Sequence, residues 1–291
     1  MLARDRQLRV TVIDNLATAK YNKEDFADYK NLYSFIEADI ATANDDELVR
    51  MFRKHDVIYH LASSVGVALG DQKPKETLFN NVRLANKLIP LFDQAKSHVV
   101  FSSTSEIYGN GPTFKEEDFC GIGPTSKNRW SYSTTKMLTE FMLRTSDCPH
   151  TIVRFFNVVG PGQLGDYGMV LPRFVQAAKE SKDILVYGDG SQVRSFCHVS
   201  DAVEALVKVS AFNGELFNVG NSNEPISMLD LAKRVVEVSG SSSQIKLVPF
   251  NEVFSDKFEE IMYRVPNVEK LRKFTGLEPT YNLNQIIQSM L

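Results

Sequence analysis

The feature that most constrains this chain is an alternation of two hydrophobic periods through its first 160 residues. Residues 8–14, 34–39, 56–62, 98–103 and 151–156 are short apolar runs rich in Val, Ile, Phe and Tyr, which read as strands. Between them, residues 47–55, 81–96 and 132–144 carry apolar side chains at helical spacing, for example Val82, Leu84, Leu88, Ile89, Leu91 and Phe92. Strands alternating with helices fold as βαβ units, so an α/β protein with a mostly parallel sheet is expected. Ligands of such sheets bind at the carboxyl ends of the strands. Asp14, Asp39, Ala62, Thr104 and Asn157 all fall there.

Beyond Gly160-Pro161-Gly162 the regular alternation stops. The expected division is a sheet domain over 1–160 and a smaller lobe over 161–291, with some segments of the second returning to the sheet. Ser227 followed by Asp230 reads as the capped start of a helix reaching about residue 238. A chain of 291 residues with 43% hydrophobic content can bury a core of this size. Its net charge of −3 offers no general field for nucleic acid or an anionic membrane, so neither is expected as a partner. An anionic ligand must be held by local Arg or Lys. With no apolar run long enough to span a bilayer and no apolar signal region after Met1, a cytoplasmic location is expected. Cys120, Cys148 and Cys197 have no metal-ligand spacing, so reduced thiols and no metal are expected.

Tyr132 and Lys136 lie one helical turn apart, on one face. A nearby ammonium favours the phenolate and is expected to lower the Tyr pKa toward that of a general base. Such a pair also occurs on ordinary solvated helix faces. The segment before it gives it weight: residues 101–109 run from a strand into Ser102, Ser103, Thr104, Ser105 and Glu106, then Tyr108 and Gly109.

The strand-end Ser-Ser-Thr-Ser-Glu-x-Tyr-Gly followed by Tyr-x-x-x-Lys resembles the extended short-chain dehydrogenases that act on nucleotide sugars, the NAD-dependent epimerase/dehydratase group. Further similar stretches follow in family order, covering nearly the whole chain. They are His60-Leu61-Ala62, Arg154-Phe155-Phe156-Asn157, Val186 to Phe196, Phe217-Asn218-Val219-Gly220 and Arg264-Val265-Pro266-Asn267. The resemblance implies a Rossmann-like doubly wound sheet with NAD as cofactor and a UDP-sugar as substrate. Tyr132 is then the base at a sugar hydroxyl, Thr104 a hydrogen-bond partner of that hydroxyl, and Lys136 the residue at the nicotinamide ribose. Glu106 completes the catalytic set. Asp14 is implied at the adenosine ribose, Asp39 and Ile40 at the adenine, and Ala62 and Ser63 along the pyrophosphate path. Asn15, Leu61, Asn81, Ser102 and Phe155 are implied at the cofactor too. Ser105, Asn157, Arg194 and Arg264, with Thr104, are implied at the substrate, where guanidinium forks suit phosphate oxygens. A homodimer joined through the Tyr132 helix is implied as well, with Met137, Leu138, Phe141 and Met142 as its apolar positions.

The family's glycine loop is expected roughly two dozen residues before the strand-end acid. No glycine occurs in the 13 residues before Asp14. The first five residues resemble the tail of the helix after that loop. Two expectations follow: a chain that binds NAD poorly and is marginally stable, or a longer working protein. For the reaction, a UDP-sugar 4-epimerase acting through a transient 4-keto sugar is the leading expectation. Ser105-Glu106 and residues 123–132 resemble UDP-glucuronate decarboxylases, which stand close behind, with a 4,6-dehydratase third. A catalytically inert nucleotide-sugar-binding paralogue is the non-enzyme alternative.

Overall fold

The fold is known from a computed structural model that describes residues 8–17, 32–65, 71–111, 114–163, 165 and 168–291. The strands in chain order are β1 (Val10–Asp14), β2 (Leu32–Glu37), β3 (Val57–His60), β4 (His98–Thr104), β5 (His150–Phe155) and β6 (Val158–Val159). They continue as β7 (Ile184–Tyr187), β8 (Val193–Arg194), β9 (Cys197–His198), β10 (Leu216–Val219), β11 (Ile226–Ser227), β12 (Ile245–Val248) and β13 (Tyr263–Arg264). The helices are α1 (Asp45–Phe52), α2 (Pro74–Ala95), α3 (Arg129–Arg144), α4 (Val170–Lys179), α5 (Val199–Val209), α6 (Met228–Ser239), α7 (Glu269–Thr275) and α8 (Leu283–Met290).

The main sheet is parallel, in the order β10-β5-β4-β3. Its central strands read as continuous apolar runs because both faces are covered. Leu48, Leu88, Phe92, Phe101, Leu143 and Ile152 pack on one face, bringing α1, α2 and α3 against it. Val100, Val153, Leu206, Phe217 and Val268 pack on the other, under α5 and the start of α7. A separate cluster of Leu171, Phe174, Ile184, Val186, Leu231, Val235, Ile286 and Ile287 forms the core of α4, α6, α8 and β7. The C-terminal part therefore has its own core but also returns β10 and α5 to the sheet.

β1 and β2 pair with each other in parallel, and among the described residues neither hydrogen-bonds to β3. A bond between His55 Nε2 and Thr11 Oγ1, 2.9 Å, ties β1 to the segment that leads into β3. The first five residues, expected to be a helix tail, lie outside the described residues.

Local signals set most element boundaries. Asn44 caps α1, its Oδ1 accepting from the Glu47 amide at 3.1 Å, and three acids occupy the first turn. Ser227 caps α6 as its sequence suggests, accepting from the Asp230 amide. The helix expected from residue 81 begins at Pro74 instead. Proline is well suited to a first helical turn, where its missing N–H is no loss, and hydrophobic period alone does not register that turn.

Candidate active site

The site is built at the carboxyl end of β4. Thr104 ends the strand, and its Oγ1 accepts from the Glu106 amide at 3.2 Å, starting a 3₁₀ turn over Ser105–Tyr108. Gly109 closes that turn with φ 69°, and a Cβ there would lie 2.3 Å from the carbonyl oxygen of Gly121. Only glycine fits both requirements. The turn buries Thr104, Ser105 and Glu106, at 8%, 1% and 7% exposure. The Ser105 hydroxyl is buried without a partner among the described residues.

α3 packs against this turn and against β4. Its Lys136 is buried, and its ammonium donates to the Ser102 carbonyl at 2.7 Å. Burial lowers the Lys136 pKa to about 7, with the charge of Glu140 opposing. His60 is pushed down to about 3 by burial, and Lys136 adds to that shift. Tyr132 behaves differently from the sequence expectation. Burial raises its phenol above the ordinary range, the charge of Glu106 raises it further, and Arg264 opposes. Lys136 Nζ stands 5.9 Å from the Tyr132 ring centroid and is engaged with the backbone, so its pull does not decide the shift.

Beyond Tyr132 lies a cluster of charges. Glu106 Oε1 accepts from Arg264 Nη1 at 2.9 Å and from Arg129 Nη2 at 3.4 Å. Glu260 Oε1 accepts from Arg129 Nη1 at 3.1 Å and Arg194 Nη2 at 2.9 Å. Burial pushes the Glu106 carboxyl up, but Arg129, Arg264 and Arg194 outweigh it and hold the group below its usual range. Arg194 is lowered to about 10, by burial first and then by Arg264. Asn157, at φ 41°, has a backbone that few residues other than glycine adopt. Its amide donates to the Ser195 carbonyl at 2.9 Å, and its Oδ1 accepts from Arg264 Nε at 3.1 Å and also from Arg264 Nη2. Asn157, Arg194 and Arg264, expected from sequence at the substrate, thus converge with Glu106, expected in the catalytic set.

The residues expected at the cofactor lie along the neighbouring strand ends. Asp14 ends β1 and accepts from the Leu16 amide at 2.8 Å. Asn15 and Asp39 make similar local turns, to the amides of Ala17 and Ala41. Ile40 packs on the sheet core. Leu61 is 53% exposed just past β3, and Ala62 is exposed beside it. Ser63 donates to Asn81 Oδ1 at 3.0 Å, and the buried Asn81 also reaches Thr135 Oγ1 at 3.4 Å. Phe155 is half-buried at the end of β5.

Two candidate site residues were not named from the sequence, Arg129 and Glu260. Only Arg129 left a trace, three residues before Tyr132 on the same helical face. Among the described residues no helix is long and apolar enough to cross a membrane, and no group of His, Cys, Asp and Glu is placed to hold a metal ion.

A family model described as the NAD dependent epimerase/dehydratase family matches residues 2–220. The chain is 37% identical to UDP-N-acetyl-alpha-D-glucosaminuronate decarboxylase of Bacillus cytotoxicus, over 95% of this chain and 87% of that protein. It is 31% identical to UDP-glucuronic acid decarboxylase 2 of Arabidopsis thaliana over 97% of its length, and spans 62% of that protein. The structure of Pal from Bacillus thuringiensis is similar at a TM-score of 0.84 and 25% identity, covering 98% of this chain and 90% of that one. UDP-glucuronic acid 4-epimerase from Bacillus cereus, solved with UDP-glucuronic acid and NAD, is similar at a TM-score of 0.82. The match covers 99% of this chain and 91% of that one, and at 23% identity it speaks for the fold alone.

Proposed function

Because the chain belongs to the NAD dependent epimerase/dehydratase family, a family of enzymes, we propose that it is an NAD-dependent decarboxylase of UDP-linked uronic acids. The observation that carries this reading is Glu106, buried at the strand end and held ionised by guanidinium groups beside Tyr132. The names of the two curated relatives support it, at 37% and 31% identity, while the epimerase likeness rests on fold. They move decarboxylation ahead of the 4-epimerase reading that the sequence favoured. The first substrate to try is UDP-N-acetylglucosaminuronate, then UDP-glucuronate.

NAD, when bound, supplies the oxidising power that converts the sugar C4 alcohol to a ketone. The residues that would hold it fit such a group. Carboxylates of Asp14 and Asp39 lie at strand ends, Ser63 and Asn81 are joined, Lys136 is buried below, and an apolar Leu61 is left exposed where a ligand would cover it. Tyr132, once ionised, takes the proton of the C4 hydroxyl, and Thr104 donates to the same oxygen. A 4-keto uronate is a β-keto acid: the C5–C6 bond breaks, CO₂ leaves, and its electron pair moves onto the C4 oxygen. Tyr132 and Thr104 stabilise that oxyanion. Glu106, kept ionised, is an acceptor for a sugar hydroxyl or for the water that gives a proton to C5 and leaves as hydroxide, which the released CO₂ takes up as bicarbonate. Arg264 and Arg194, with Asn157, bind the diphosphate.

The test is to incubate the purified chain with NAD and each UDP-uronate and follow the sugar nucleotide by mass spectrometry. Loss of CO₂ from the sugar supports the reading. A product of unchanged mass with inverted C4 restores the epimerase, and binding without conversion restores the inert paralogue. A homodimer is also proposed, supported by Leu138 and Phe141 left 41% and 63% exposed on α3. Light scattering that returns the monomer mass removes it.

A further inference from the structure

Arg129 is the first residue of α3. Its side chain is 4% exposed. A cation placed there is disfavoured twice, by lost hydration and by the positive end of the helix dipole. Anions from two other parts of the chain compensate. Glu106 Oε1 accepts from Nη2 at 3.4 Å and Glu260 Oε1 from Nη1 at 3.1 Å, while the Glu259 carbonyl also accepts from Nη1 at 3.3 Å. The Phe258 ring centroid lies 5.9 Å from the guanidinium carbon, and Nε is buried without a partner among the described residues. The fork is anchored by its two ends.

Arg264 Nη1 reaches the same oxygen of Glu106 at 2.9 Å. Two guanidinium groups therefore grip Oε1, and the carboxylate cannot rotate without breaking both contacts. No hydrogen bond from the described residues reaches the other oxygen, Oε2. The two arginines differ in their other duties. Arg264 also holds Asn157 and, under the proposed function, turns to the substrate diphosphate. Arg129 is tied instead to the segment carrying Glu259 and Glu260.

We propose that Arg129 is a positioning residue that fixes Glu106 through Oε1, leaving Oε2 for the substrate and keeping Glu106 in place when Arg264 engages phosphate. This rests on the reading of the site given above. Loss of Arg129 removes one of the pulls that keep Glu106 ionised, so its titration moves to higher pH.

The test compares Arg129→Gln, Arg129→Lys, Glu106→Gln and the Arg129→Gln/Glu106→Gln double variant with the wild-type chain. The first readout needs no turnover: the Glu106 carboxyl is titrated by carbon-13 NMR, its signal identified by its loss in Glu106→Gln. The midpoint is expected to rise by about one pH unit in Arg129→Gln, with Arg129→Lys between it and wild type. The second readout is the pH profile of decarboxylation. Its acid limb moves up in the same order, and kcat falls roughly 10- to 100-fold while KM stays within about threefold. In the Glu106→Gln background the Arg129 substitution costs little more, because it acts through a group already gone. An unmoved Glu106 midpoint, or an equal further loss of kcat in that background, overturns the proposal. If Arg129→Gln does not fold, Arg129→Lys alone and with Glu106→Gln decides by the same criteria. A wild-type chain that releases no CO₂ refutes the proposed reaction, while the Glu106 titration still decides about Arg129.

Discussion

Two buried ion-pair clusters flank α3, and they are built to different ends. In the first, Glu140 takes Arg154 in a two-pronged grip, Nε to Oε1 at 3.0 Å and Nη2 to Oε2 at 2.7 Å. Ser103 Oγ also donates to Glu140, and the Arg154 guanidinium lies 4.7 Å from the centroid of Tyr108, whose hydroxyl donates to Asn218. The remaining donors reach the Glu116 carbonyl and Cys120 Sγ. The cluster is closed, and it clamps α3 to β4 and β5. In the second, a single oxygen of Glu106 serves two guanidinium groups, a single oxygen of Glu260 serves two, and Arg129 Nε, Ser105 Oγ and Ser195 Oγ stay unpaired. The same residue types satisfy one another fully in the first cluster, and leave capacity in the second, where the reaction is proposed.

The sharpest way to break this contrast is Tyr132→Phe. It removes a hydroxyl from the open side, so turnover is expected to fall on the order of 10³-fold. The melting temperature should hardly move. Retained activity, measured as CO₂ release, would remove Tyr132 from its role. Next comes Arg154→Met on the closed side, which strands Glu140 as a buried unpaired charge and should cost about 3–5 kcal/mol of stability in urea unfolding. If adding Glu140→Gln recovers none of that loss, the pair is not the clamp described here.

Glu106→Gln sharpens the comparison, because it neutralises the centre of the open cluster. Turnover is expected to drop roughly 100-fold and stability to shift by only about 1 kcal/mol, since the arginines keep a neutral acceptor. A stability loss as large as that of Arg154→Met would show that both clusters serve the fold.

The smallest effect concerns Lys136, which lies between the clusters. Burial brings its pKa in the folded chain to about 7, below the ordinary 10.5. Between those values the unfolded chain binds the extra proton, so stability should rise as pH increases from about 7 to about 10.5. Lys136→Met should remove this contribution. Identical slopes of stability against pH in the two proteins would show that Lys136 is not held deprotonated by burial.

What the sequence by itself determined are features set by backbone period and neighbouring side chains. The apolar runs that became β3, β4, β5 and α3 are legible because a strand repeats every two residues and a helix every 3.6. The Tyr132–Lys136 face follows from the same helical period, and the Ser227 cap from a side chain reaching its own third neighbour. What only the tertiary structure decided are meetings between residues far apart in the chain. Arg129 meets Glu106 across 23 positions and Glu260 across 131. Arg154 likewise meets Glu140 from a different element. The direction of the Tyr132 shift belongs here too, because burial and the charge of Glu106 overrode the lysine one turn away. Charge acts through space, with a strength set by how much water the fold excludes, and neither quantity is written in local spacing.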